Sequence, residues 1–220
     1  MKELLSRNVR RIGEAFDAFA WEDIECYAEF LAQTYYQVRH STRLLACAAA
    51  RFPQDAAGNA MHLRFAAHMA EEKSHEKLAL HDLKQLGRDI AFYPELPSTR
   101  QFYEPQYYKI EHVTPLALFG YILPLESIGP EFGGRIAERI AIAHGSAALS
   151  FLKVHSSEDA GHLDKAFAML ESACAGDRLA IAENIEQTTY AYLGMIEGIQ
   201  RASSRSWTSM PSSSARVRPA

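Results

Sequence analysis

The stretch FAAHMAEEKSHEKLALHDL, residues 65–83, has the pattern of an amphipathic helix with ionisable groups set into its apolar face. Steps of three and four residues join Phe65, His68, Glu72, His75, Ala79 and Leu83. A lone carboxylate or imidazole in a core costs several kcal/mol unless it is paired, so such groups need partners. Glu72-Lys-Ser-His75 is a Glu-x-x-His motif, which sets two metal-ligating side chains one turn apart on one face.

The interruption recurs downstream. Phe151, His155, Asp159, His162, Ala166 and Leu170 form a second stripe, and Pro115, Phe119, Ile122 and Glu126 a third. Metal ions would satisfy all these groups at once. Ferritin-like bundles combine Glu-x-x-His helices with carboxylates from other helices, and the set here follows the same logic with a different mix. It comprises Glu72, His75, Glu126, His155, Asp159 and His162: three carboxylates and three imidazoles. Such a mix suits two iron ions cycling between Fe2+ and Fe3+ in dioxygen chemistry, and manganese would fit almost as well. The alternative is a buried hydrogen-bonded network with no ion. His68 and His40 stand second, as additional ligands, outer hydrogen bonders or core histidines. Glu71 and His81 fall off the shared stripe, and His62, His112 and His144 have no such company.

Around these stripes, helical periodicity dominates. An amphipathic segment (Leu5, Val9, Ile12, Phe16, Phe19) precedes a long helix from about Trp21 to Arg51. A second long helix spans about Asn59 to Leu86, closed by Gly87. Residues 88–113, with three prolines and four tyrosines, read as an irregular lid or pocket rim, in which Arg100 and Lys109 would face an anionic substrate. Helix resumes from Pro115 to about Ser127, breaks at Gly129-Pro130 and Gly133-Gly134, and continues to about His144. Two more helices cover about 147–173 and 178–201. The fold class is all-α: one bundle of about seven helices over residues 1–201. Residues 202–220 hold seven serines, three arginines and no acidic residue, and read as a disordered tail.

Composition removes other classes. Apolar residues at 48% exclude wholesale disorder, and a net charge of −4 argues against a nucleic-acid binder. Cys26, Cys47 and Cys174 are odd in number and far apart, so neither a disulfide framework nor a thiolate metal site is indicated. No apolar run reaches signal-peptide or membrane-spanning length, which makes the cytoplasm the expected compartment.

The pieces Glu-Glu-Lys-Ser-His-Glu (71–76), Glu126 after Leu-Pro-Leu, and His155-x-x-x-Asp159-x-x-His162 resemble the haem-oxygenase-like di-iron oxidases, relatives of haem oxygenase and the TenA-like thiaminase-type proteins. The resemblance covers roughly Trp21 to Arg201. It implies that the six residues above are iron ligands, and that the chain is an oxygenase or oxidase acting with O2 on a small amine, amino-acid or acyl metabolite in a biosynthetic pathway. An external electron donor and a homodimer are compatible partners; nucleic acid and membrane are not. Some N-oxygenating members add a carboxylate from the first core helix, where this chain has Gln37 and His40, with Glu29 two turns earlier. Two other readings remain: a haem-binding or haem-degrading protein with His40 as axial ligand, and a non-catalytic helical interaction module. A thiaminase-like hydrolase would need a cysteine nucleophile, and no cysteine here has a supporting motif.

Overall fold

The computed structural model describes residues 1–158, 166–168, 170 and 173–204, and these contain helices and turns with no strand. Helix α1 (Lys2–Asp17) buries Leu5, Val9, Ile12 and Phe16, the stripe read from the sequence. Helix α2 (Ile24–Val38) starts at Asp23, whose carboxylate accepts hydrogen bonds from the N–H groups of Glu25 and Cys26. It ends at Arg39–His40, and α3 (Ser41–Ala49) follows. The expected continuous helix from 21 to 51 is therefore two. His40, at the junction, stacks on Tyr103 (ring centroids 3.8 Å apart), and its Nδ1 lies 2.8 Å from the Tyr107 hydroxyl.

The helix expected over 59–86 is also broken, and at its motif. Helix α4 (Ala56–Glu71) is capped by Asp55, and α5 (Glu76–Gln85) begins only after a turn formed by residues 72–75. Within that turn Ser74 has φ +74°, a left-handed conformation that side chains other than glycine seldom adopt. Straight-helix periodicity cannot register a break that one residue's backbone produces.

Residues expected to be irregular are largely helical. Helix α6 (Pro97–His112) opens with Pro97, whose fixed φ suits a first helical turn, and runs through Pro105. Its buried face (Thr99, Phe102, Tyr103, Gln106, Ile110) keeps helical spacing. The Gln33 side chain accepts hydrogen bonds from Leu96 N–H and the Thr99 hydroxyl, which anchors α6 on α2. Helix α7 (Phe119–His144) likewise passes without interruption through Pro124, Pro130 and the Gly133-Gly134 pair. Those glycines do not end the helix. A Cβ on Gly120 would sit 2.6 Å from the Ile181 carbonyl oxygen, and one on Gly133 2.0 Å from Ser156 Oγ, so both permit close helix approach.

Helix α8 (Ser150–Glu158) packs on α7 and α5, and α9 (Ala175–Ser203) packs against α7, α1, α6 and α2. Fully buried Asp82 of α5 accepts hydrogen bonds from the N–H groups of Ser150 and Phe151, both at 2.9 Å, so a charged cap ties the start of α8 to α5. No helix among the described residues is long and apolar enough to cross a membrane.

Candidate metal centre

Helices α4, α7 and α8, with the turn at 72–75, bring five candidate ligands to one place. Donor atoms of His68, Glu72 and Glu126 lie within 4.8 Å of one another, as do those of Glu72, His75 and His155. Glu72 belongs to both groups, and its two oxygens divide between them. Oε1 lies 3.7 Å from His68 Nε2, while Oε2 lies 3.6 Å from His75 Nδ1. His68 Nε2 is also 3.0 Å from Glu126 Oε1. On the other side the His75 and His155 rings meet edge to face, with centroids 5.0 Å apart, and Phe151 packs on His155.

Of the six residues named from the sequence, Glu72, His75, Glu126 and His155 converge. Asp159 and His162 lie outside the described residues. His68, ranked second from the sequence, stands between the two carboxylates, and the stripe already held its signal, one turn before Glu72. His40 does not reach the centre; it is engaged by Tyr103 and Tyr107 at the α2–α3 junction. Glu29 accepts a hydrogen bond from Gln33 at 2.6 Å in the network that anchors α6, and burial raises its pKa to about 6.

The electrostatics suit a cation. Burial opposes a charge on His68, yet hydrogen bonds to Glu126 and Glu72 outweigh it and raise the imidazole pKa to about 9. Burial likewise opposes a charge on Glu72, but His68, His75 and nearby His155 hold its carboxyl far below the usual range. A field that draws a proton onto a buried imidazole draws a metal ion as well, and hard carboxylates mixed with imidazoles match iron or manganese.

A cavity of about 110 Å³ abuts these residues. His68, Glu72, Glu126 and His155 form its polar wall, and most of the rest is aliphatic or aromatic. Neither Arg100 nor Lys109 lines it, contrary to the expected cationic rim: Arg100 is paired with Glu104 on the exposed side of α6. No lysine, arginine or cysteine lines it among the described residues. Tyr121 and Tyr192, not singled out from the sequence, do line it, and so does Gln37, named above for its place on the first core helix. Each lies within a run of core-forming residues, where periodicity cannot tell a cavity wall from solid packing.

Two solved structures share this architecture. A domain with a haem oxygenase-like fold from Shewanella denitrificans superposes with a TM-score of 0.70 at 20% identity, covering 91% of this chain and 87% of that one. A TenA homolog from Pseudomonas syringae pv. tomato gives 0.69 at 9% identity, covering 89% and 92%. At these identities the likeness establishes the haem oxygenase-like fold. No curated protein matches the sequence. A family model described as iron-containing redox enzyme matches residues 28–193, a span that holds every candidate ligand, and the chain belongs to that family.

Proposed function

We propose that this protein is an O2-dependent di-iron oxygenase or oxidase that acts on a small, mostly apolar substrate in a biosynthetic reaction. The observation that carries the reading is the division of Glu72, one carboxylate whose two oxygens address two separate donor groups. A single ion would leave one group without a purpose, whereas two ions would use both groups, to each of which Glu72 belongs. Asp159 and His162, from the same sequence stripe as His155, complete the proposed ligand set.

When bound, the two ions would supply one-electron redox chemistry and dioxygen activation, which no side chain in the cavity offers. The protein's own part is positional. Glu126 and His68 would hold one end of the centre, His75 and His155 the other, and Glu72 would serve both. The apolar wall excludes water from the oxidised position and keeps neutral substrate beside the ligands. Lacking a lysine or arginine, it suits an acyl or other apolar body better than an amino-acid zwitterion.

Anaerobic reconstitution with ferrous iron, followed by metal analysis, tests the reading. The expected result is close to two irons per chain, substrate-dependent O2 uptake, and loss of both in Glu72→Ala. One iron per chain, or full iron content in Glu72→Ala, overturns it. The haem alternative has its own signature, a Soret band on haem titration. His40 is stacked against Tyr103 outside the cavity wall, so the expected outcome is none.

A further inference from the structure

The cavity has a second polar region that metal binding does not use. Residues of α7 from Tyr121 to Ile136 contribute to its wall, with Glu126 a third of the way along. A volume of about 110 Å³ limits the occupant to a small molecule. Beyond Glu126 toward Ile136 the wall includes Trp21, Gly133 and Leu152. At the Tyr121 end it is different.

There Gln37 Nε2 donates to the Tyr121 hydroxyl at 2.7 Å. With its oxygen occupied as an acceptor, Tyr121 retains an O–H to donate. Tyr192, from α9, packs beside it: both rings lie against Phe102, with centroids 5.0 and 5.1 Å away. Tyr192 is 6% exposed, and its hydroxyl has no hydrogen-bond partner among the described residues. Its ring lines the cavity, so its O–H is a free donor for a polar group that arrives with the ligand. Two phenolic O–H donors on one cavity wall call for an oxygen acceptor. Among the described residues the wall holds no lysine or arginine, so an anionic group there would lose hydration without return.

We propose that Tyr192 and the Gln37–Tyr121 pair form a recognition subsite for an uncharged oxygen acceptor, a hydroxyl or carbonyl, on a small and otherwise apolar substrate. The subsite deepens the oxygenase reading and rests on it for its role in turnover. The group held here orients the substrate, and so selects which atom lies beside Glu72 and Glu126.

Titration calorimetry on the full chain, iron-loaded and anaerobic, tests this with hexane and hexanol as probes. Hexanol is expected to bind about fivefold more tightly than hexane, the worth of one net hydrogen bond. Tyr192→Phe, which preserves shape, is expected to remove the hexanol advantage while hexane affinity and iron content stay as in the parent. Gln37→Leu is expected to reduce the advantage without abolishing it. Equal affinity for hexanol and hexane in the parent, or an unchanged advantage in Tyr192→Phe, overturns the subsite. Iron content is read separately: a chain that holds no iron yet shows the Tyr192-dependent preference would sink the di-iron reading and leave the subsite standing.

Discussion

The two halves of the centre are built differently. His68 and Glu126 are buried, contact each other at 3.0 Å, and project from α4 and from the interior of α7. His75 and His155 are less buried, and each depends on a local device. His75 depends on the turn at Ser74, and His155 on a short helix whose start is held by Asp82. The first half is fixed by bundle packing itself. The second is fixed by particular hydrogen bonds and one strained residue, so it is the half that single substitutions can disturb selectively. Glu72 spans both, and its replacement should have the largest effect. Glu72→Ala is expected to lower affinity for both irons by about a hundredfold or more, whereas His155→Ala should spare the His68 side. Metal titration of the two variants separates the outcomes, and equal losses would erase the contrast.

Asp82 offers the next test. Removing its carboxylate leaves two part-buried N–H groups at the start of α8 without that acceptor. Asp82→Ala is expected to cost about 3 kcal/mol in urea unfolding and to bring iron content from near two toward one, because α8 carries His155. Loss of both irons at unchanged stability would show that the halves are not independent.

The pH dependence of the metal-free chain sharpens the description of the buried half. The folded-state pKa of His68 is about 9, above the ordinary histidine value, so its contribution is complete below about pH 6.5 and is lost as pH rises through about 9. Glu72 is shifted the opposite way, so its contribution is present above the ordinary carboxylate range and lost in acid. Unfolding of the metal-free protein should therefore weaken by about 2 kcal/mol between pH 6.5 and 9.5, and His68→Gln should flatten that slope. Bound metal replaces the proton and should flatten it too.

The same contrast explains what could be read from the sequence. The α1 stripe, the placement of Glu72, Glu126 and His155 on apolar faces, and the all-helical class are expressions of 3.6-residue periodicity, which is local. The break at 72–75 was not legible, because Glu72-Lys-Ser-His75 fits a straight helix equally well and Ser74 carries no glycine-like signal. Proline and glycine misled in α6 and α7 for the converse reason. Pro97 starts a helix, while Gly120 and Gly133 answer to neighbours on α9 and α8 that lie far away in the chain. His68 was undervalued because its importance comes from Glu126, fifty-eight positions on.

Ser74 provides the smallest and most specific test of the less buried half. At φ +74° a serine carries strain on the order of 1 kcal/mol, and the turn retains it because the backbone must leave the α4 axis before His75 can face His155. Glycine relieves the strain but loses more backbone entropy on folding, about 0.5–1 kcal/mol, so the two effects nearly cancel. Ser74→Gly is therefore expected to change stability by less than about 1 kcal/mol and to keep both irons. Ser74→Val, β-branched and ill suited to a left-handed backbone, should destabilise by about 2 kcal/mol and weaken only the iron on the His75 side. If valine were accepted without loss of that iron, the turn would be incidental, and α4 and α5 could run as one helix without cost to the centre.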